Sequence, residues 1–226
     1  MNTVQENLKQ IQQDINSAAA KTGRNSEDIT LLAVTKYVTI ERTEEAVDAG
    51  IVDLGENRIE GFLEKQAVIG EKAVWHFIGS LQTRKVKDVI NQVDYLHALD
   101  RLSLAKEIQK RATKKVKCFV QINVSGEATK SGVSPDETLV FIQQLAEFPA
   151  IEVVGLMTMA PNTEKEDVLR SVFSGLRQLR DEVKAAGMLH APCTFLSMGM
   201  SNDYTIAIEE GATHVRVGSA LVGPYK

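Results

Sequence analysis

From residue 30 onward the chain alternates short apolar runs with longer amphipathic segments, and this alternation constrains the fold more than any other feature. The runs at 30–36, 51–56, 74–79, 95–99, 116–124, 151–159, 194–197 and 214–218 have the length and composition of strands. The segments 40–49, 58–69, 84–91, 101–113, 138–147, 165–186 and 203–210 between them read as helices. A leading helix over 4–21 sets Leu8, Ile11, Ile15 and Ala18 at helical spacing, and Gly23 breaks it. Strands separated by helices pair in parallel through right-handed crossovers. An open doubly wound sheet fits the same alternation. Eight strands, no long linker and no GxGxxG after the first strand favour a closed sheet. The predicted fold is α/β: a single (β/α)8 TIM-type barrel with an extra N-terminal helix, one domain over 1–226.

Composition narrows the function classes. An apolar fraction of 43% and a charged fraction of 25% suit a globular chain with a full core. Net charge is −4, and the one basic cluster, Lys114, Lys115 and Lys117, reads as a solvated helix end before a strand. No nucleic-acid partner is expected. Cys118 and Cys193 are too few and too far apart for a disulfide framework, no CxxC suggests a metal, and Cys118 reads as core. The polar N-terminus lacks a signal-like apolar stretch and no run reaches membrane-spanning length, so a cytoplasmic protein with no membrane partner is expected.

Barrel enzymes carry their working residues at the C-terminal ends of strands. Lys36 closes the first run, with Leu32, Val34 and Lys36 on one face by alternation. A partly desolvated lysine at a barrel mouth can attack an aldehyde, although taken alone a lysine there more often marks the strand's exit into solvent. Ser197-Met198-Gly199-Met200-Ser201 closes the seventh strand and opens the helix beginning near Asp203, and Arg216-Val217-Gly218-Ser219 ends the eighth strand. Small residues with free N–H groups after strands seven and eight are where barrels hold phosphate. Alternation sets His214, Arg216 and Gly218 on one face; an arginine there pairs with a buried carboxylate such as Glu56 or faces a ligand. Weaker strand-end candidates are Glu56, Asn57, His76, Gln121, Asn123, Met157, Met159 and the loop residue Lys130. His76 has the setting of a satisfied core histidine, and the methionines that of pocket walls.

Several ordered segments together resemble the YggS/PROSC family, the pyridoxal phosphate homeostasis proteins. They are Ala33-Val34-Thr35-Lys36, Gly55-Glu56-Asn57, Trp75-His76-Phe77-Ile78-Gly79-Ser80-Leu81-Gln82, Gln121-Ile122-Asn123, Lys130-Ser131-Gly132, Gly155-Leu156-Met157, Leu196 to Asp203 and Val215-Arg216-Val217-Gly218-Ser219. The resemblance spans nearly the whole chain. It implies a fold like the N-terminal barrel of alanine racemase and pyridoxal 5′-phosphate (PLP) as cofactor. It further implies that Lys36 carries PLP as an imine, that Ser201, Gly218 and Ser219 hold the phosphate, and that Arg216 lies near the pyridine nitrogen. Met198 belongs to the loop beside the phosphate, and Asn57 is expected among the cofactor contacts. Arg58 and Arg84 depart from the family pattern, which has an aromatic and an asparagine there.

The expected function is PLP binding for homeostasis of the cofactor, by sequestration, storage or transfer, and through it amino-acid and keto-acid balance. PLP-dependent apo-enzymes are possible recipients, and the chain is expected to act as a monomer. A racemase-like PLP enzyme of low activity stays open, as does a barrel isomerase or aldolase that uses Lys36 on a sugar phosphate. Efficient turnover is not expected. Racemisation needs an acid/base on each face of the substrate carbon, and the racemase takes its second, a tyrosine, from an additional β-domain that this chain is expected to lack. None of Tyr37, Tyr95, Tyr204 and Tyr225 obviously replaces it, Tyr37 being expected to alternate away from Lys36.

Overall fold

The computed structural model describes residues 3–127 and 131–223. Lys130 and Tyr225 therefore lie outside the described residues. Eight parallel strands close into a barrel in chain order, the eighth pairing with the first. They are β1 (Thr30–Val34), β2 (Asp53–Glu56), β3 (Val74–Phe77), β4 (Tyr95–Leu99), β5 (Val116–Gln121), β6 (Ile151–Met157), β7 (Phe195–Met200) and β8 (His214–Val217). Around them lie α1 (Val4–Lys21), α2 (Ile40–Asp48), α3 (Ile59–Ile69), α4 (Val86–Val89), α5 (Leu102–Arg111), α6 (Thr138–Gln144), α7 (Glu166–Ala185), α8 (Tyr204–Glu209) and α9 (Ser219–Val222). The open-sheet alternative is thereby set aside.

Alternation along each strand divides the core in two. Outward side chains such as Leu54, Leu96, Val120, Leu156 and Val215 pack under the helices in one continuous cluster. Inward side chains fill the lumen with rings: His97 stacks on Phe119 at 4.3 Å, and His214 meets Phe195 at 4.9 Å and Phe119 at 5.2 Å. Such a lumen is a packed core rather than a channel. It leaves the C-terminal mouth as the open end.

The N-terminal helix α1 begins with a capping box, in which Thr3 Oγ1 accepts from the Glu6 N–H at 3.2 Å and Glu6 accepts from the Thr3 N–H at 2.8 Å. Its buried stripe, Val4, Leu8, Ile11, Ile15, Ala18 and Ala19, faces the barrel. Asn7 Nδ2 donates to the Leu221 carbonyl at 2.8 Å, and the Tyr204 hydroxyl donates to Asp14 at 2.7 Å. The helix thus braces α8 and α9, the two elements that follow β7 and β8.

Candidate functional site

A cleft of about 630 Å³ opens at the C-terminal mouth, within the size range of small-molecule sites. Lys36, Asn57, Ser201, Arg216, Gly218 and Ser219 all line it. These come from the ends of β1, β2, β7 and β8, so closure of the barrel is what assembles them.

Strand β1 stops at Val34, and Lys36 and Tyr37 form a turn beyond it. The sequence had extended the strand through Lys36 and turned Tyr37 away. The turn instead brings the Tyr37 ring to 4.9 Å from Lys36 Nζ, and Tyr37 lines the same cleft. Lys36 is half-buried. The backbone before it is fixed from below by a buried triad. Lys65 Nζ donates to the Thr35 carbonyl and, at 2.6 Å, to Glu56 Oε1. The Thr35 hydroxyl donates to the same carboxylate oxygen at 2.6 Å. Glu56 therefore pairs with Lys65 on α3 rather than with Arg216.

Asn57 follows directly, and a close backbone approach holds it. A Cβ on Gly79 would lie 2.3 Å from the Asn57 carbonyl oxygen, so only glycine lets the loops after β2 and β3 touch here. Asn57 Oδ1 is buried without a hydrogen-bond partner among the described residues. A buried polar atom left unsatisfied at a cleft is costly unless a ligand or water completes it.

The far wall is a polar loop pair. The Gly218 N–H donates to Ser201 Oγ at 3.2 Å, which ties the loop after β7 to the end of β8. Gly218 caps α9 and its carbonyl accepts from the Leu221 and Val222 N–H groups, whereas those of Ser219 and Ala220 have no preceding helical carbonyl to bond. The Met200 N–H donates to Asp203, and burial pushes the Asp203 carboxyl above its ordinary range. Arg216 sits on the floor, 4% exposed. Its Nη1 donates to Ser197 Oγ at 2.6 Å and its Nη2 to the Thr158 carbonyl at 3.0 Å. Burial lowers the guanidinium to about 10, with Asp203 opposing the shift.

Met198 is the exception among the expected residues. Ser197 points into the lumen, so Met198 points out, fully buried in the layer beneath the helices. Gln121 and Met157 contribute to the wall and Met159 to the rim. Asn123 instead donates to the Glu127 carbonyl at 2.9 Å. His76 is fully buried among polar partners. The sequence reading missed Tyr37, Ser80 and the 160–163 loop after β6, all of which line the cleft. Position after a strand end was the available signal for the last two.

A barrel with an amine at the end of β1, an arginine on β8 and small polar residues after β7 and β8 defines a class. The family model described as alanine racemase, N-terminal domain, matches residues 6–226. Within that class the chain belongs to the pyridoxal phosphate homeostasis protein family. A curated member from Aquifex aeolicus is 41% identical over 225 residues, covering 98% of each chain. A solved protein of unknown function from Bifidobacterium adolescentis superposes with a TM-score of 0.91 at 33% identity, over 97% of this chain and 94% of that one. PipY from Synechococcus elongatus, solved with PLP bound, superposes with a TM-score of 0.81 at 28% identity, over 93% of this chain and all of PipY.

Proposed function

We propose that the chain, as one domain over 1–226, binds PLP in the mouth cleft and serves PLP homeostasis in the cytoplasm as a monomer, holding the cofactor and passing it to apo-enzymes. The observation that carries this reading is the convergence of a primary amine, Lys36, with a serine- and glycine-lined wall in one cleft. The donor set fits the group. An aldehyde condenses with a primary amine, and a phosphate dianion suits hydroxyl and N–H donors at loop and helix starts. When bound, PLP supplies an electrophilic aldehyde and a conjugated ring.

The chain's own residues then have distinct tasks. Lys36 would hold the cofactor through its amine, positioned through Thr35 by Glu56 and Lys65. The Ser201 hydroxyl accepts from Gly218, and its own proton, with the N–H of Ser219, would hold the phosphate. Asn57 Oδ1, which accepts only, would take a donor from the bound group or from a water beside it. Arg216, on the cleft floor, would be the donor offered to the ring nitrogen. A guanidinium there disfavours protonation of that nitrogen and weakens the ring as an electron sink. Binding and release, rather than turnover, is the activity such a floor favours. Met198 supports the loop from behind.

Absorbance and borohydride trapping test the reading. The protein is expected to take up PLP with a visible band and to yield one pyridoxyl-peptide, containing Lys36. Lys36→Ala should lose the adduct and keep the fold. Mapping of the adduct to another lysine, or failure to take up PLP, overturns the assignment.

A further inference from the structure

We infer that the barrel lumen carries a one-directional hydrogen-bond relay from Arg216 to Asp53, which holds the guanidinium from the side of the barrel opposite the cleft. Four links make it. Arg216 Nη1 meets Ser197 Oγ at 2.6 Å, and Ser197 Oγ meets His97 Nδ1 at 2.9 Å. His97 Nε2 meets His76 Nδ1 at 2.9 Å, and His76 Nε2 meets Asp53 Oδ1 at 2.9 Å. Ser197, His97 and His76 are fully buried. Asp53 is the first residue of β2, at the N-terminal end of the barrel, and its side chain is 22% exposed. The relay runs from β8 to β7, crosses the lumen to β4, and continues through β3 to β2.

The two ends fix its direction. A guanidinium only donates, and a carboxylate only accepts. With one proton on each ring, His76 donates Nε2–H to Asp53 and accepts at Nδ1 from His97 Nε2, so His97 Nδ1 accepts the Ser197 proton while Ser197 Oγ accepts from Arg216. Burial, and then the neighbouring His76, hold His97 well below the ordinary histidine range, so it carries a single N–H, as this order requires. The remaining lumen rings leave the line undisturbed: Tyr95 stacks flat on His76 at 4.6 Å, Phe119 covers His97, and His214 turns its Nδ1 to Thr213 Oγ1 at 2.9 Å.

Barrel lumens are ordinarily filled by branched apolar side chains. A polar string in that setting is costly unless every member is satisfied, and here each link satisfies two members. Ser197, His97, His76 and Asp53 are therefore positioning residues for Arg216. With Nη1 and Nη2 both taken, the guanidinium cannot turn about its axis, and the edge it shows the cleft is fixed. The consequence for the cofactor rests on the PLP reading above: the relay sets the polarity that the ring nitrogen meets.

Side-chain ¹⁵N NMR tests the relay without any ligand, and four histidines make the spectrum simple. At neutral pH, His76 and His97 should both carry their proton on Nε2. In His76→Phe, which keeps an aromatic ring against Tyr95, the His97 proton should move to Nδ1, because its acceptor is gone. The Arg216 Nη signals should also broaden as guanidinium rotation quickens. Finding His97 protonated on Nδ1 in the unaltered protein overturns the relay, and this needs no variant to fold. An unchanged Arg216 spectrum in His76→Phe removes its positioning role. In the PLP-loaded protein, His76→Phe and Ser197→Ala should shift the visible maximum by several nanometres. An unshifted band, with the NMR changes present, overturns the effect on the cofactor. Normal NMR results in a protein that takes up no PLP leave the relay standing and overturn the PLP reading instead.

Discussion

Lys65 is 4% exposed, yet its ammonium sits beneath the cleft with Glu56 as counter-ion. Removing one partner of a buried pair leaves the other charge without compensation, at a cost of about 3–5 kcal/mol. Lys65→Met is therefore expected to lower stability by roughly that amount. It should also weaken PLP, because the Thr35 carbonyl before Lys36 loses its anchor. Lys65→Met combined with Glu56→Leu should recover most of the stability and little of the affinity. Denaturant midpoints and PLP titration of the single and double variants check this; full recovery of affinity would show that the triad does not position Lys36. The sequence marked Glu56 as a strand-end candidate but offered no sign of its partner. Lysines in helices are usually solvated, and only the packing of α3 on β2 turns this one inward. Tyr37 was misplaced for a related reason. Nothing in Thr35 and Lys36 breaks an extended run, but the ladder with β2 ends at Val34 and Gly55. The turn that follows brings Tyr37 to the cleft beside Lys36.

At the scale of elements, strand existence was legible throughout and strand ends were not. The run 116–124 overshoots β5, which ends at Gln121 because the Val133 N–H then donates to the Gln121 carbonyl at 2.8 Å. The seventh strand was read as 194–197, since Ser-Met-Gly-Met looks like a loop; it continues to Met200. The helix expected over 84–91 is only Val86–Val89 preceded by a tighter turn, and α9 was not foreseen. Gly199 explains the β7 end. Its φ is +92°, and a Cβ there would lie 2.6 Å from Ala207 Cβ and 3.0 Å from Tyr204 Cα. The glycine both turns the chain toward Ser201 and lets α8 press against it. Gly199→Ala should cost about 2–4 kcal/mol, a strained backbone and an overpacked contact together. It should weaken PLP more than pyridoxal, because the displaced loop carries Ser201. Measured against Ala207→Gly alone, which carries the cost of about 1 kcal/mol for a glycine in a helix, the double variant should lose the 2.6 Å contact and keep the backbone part, on the order of 1–2 kcal/mol, with the Tyr204 contact. Urea unfolding of the three variants measures the split, and an equal cost of Gly199→Ala with and without Ala207→Gly would mean that packing against Ala207 is not what the glycine serves.

For the molecule as a whole, the lumen that supports the cleft also sets its response to acid. Separate strands supply the histidines there, and His97 meets Ser197 across a sequence separation of 100 residues. Periodicity reports which face a residue takes but not what it meets across a closed barrel, so this interior was not legible beforehand. Burial holds His97 well below the ordinary histidine value and lowers His214 to about 3. Unfolded histidines take up protons near pH 6.5. Below that pH the unfolded chain binds more protons than the folded one, so stability falls as pH falls. The loss begins near the unfolded value and continues for His214 down to about pH 3. Each neutral histidine contributes a slope approaching about 1.4 kcal/mol per pH unit, and the two together about 2.7. Carboxylates held below their ordinary range, such as Glu45 and Glu209, add to the loss only nearer pH 4.5, while Asp203, raised by burial, works against it. The interval from pH 6.5 to 5 therefore isolates the histidines. His214→Phe, whose ring packs among Phe119 and Phe195, should roughly halve the slope there. Urea midpoints at pH 7, 6 and 5 decide the matter: a stability flat across that interval, or a His214→Phe slope equal to that of the unaltered protein, would show that the lumen histidines are not kept neutral by the fold.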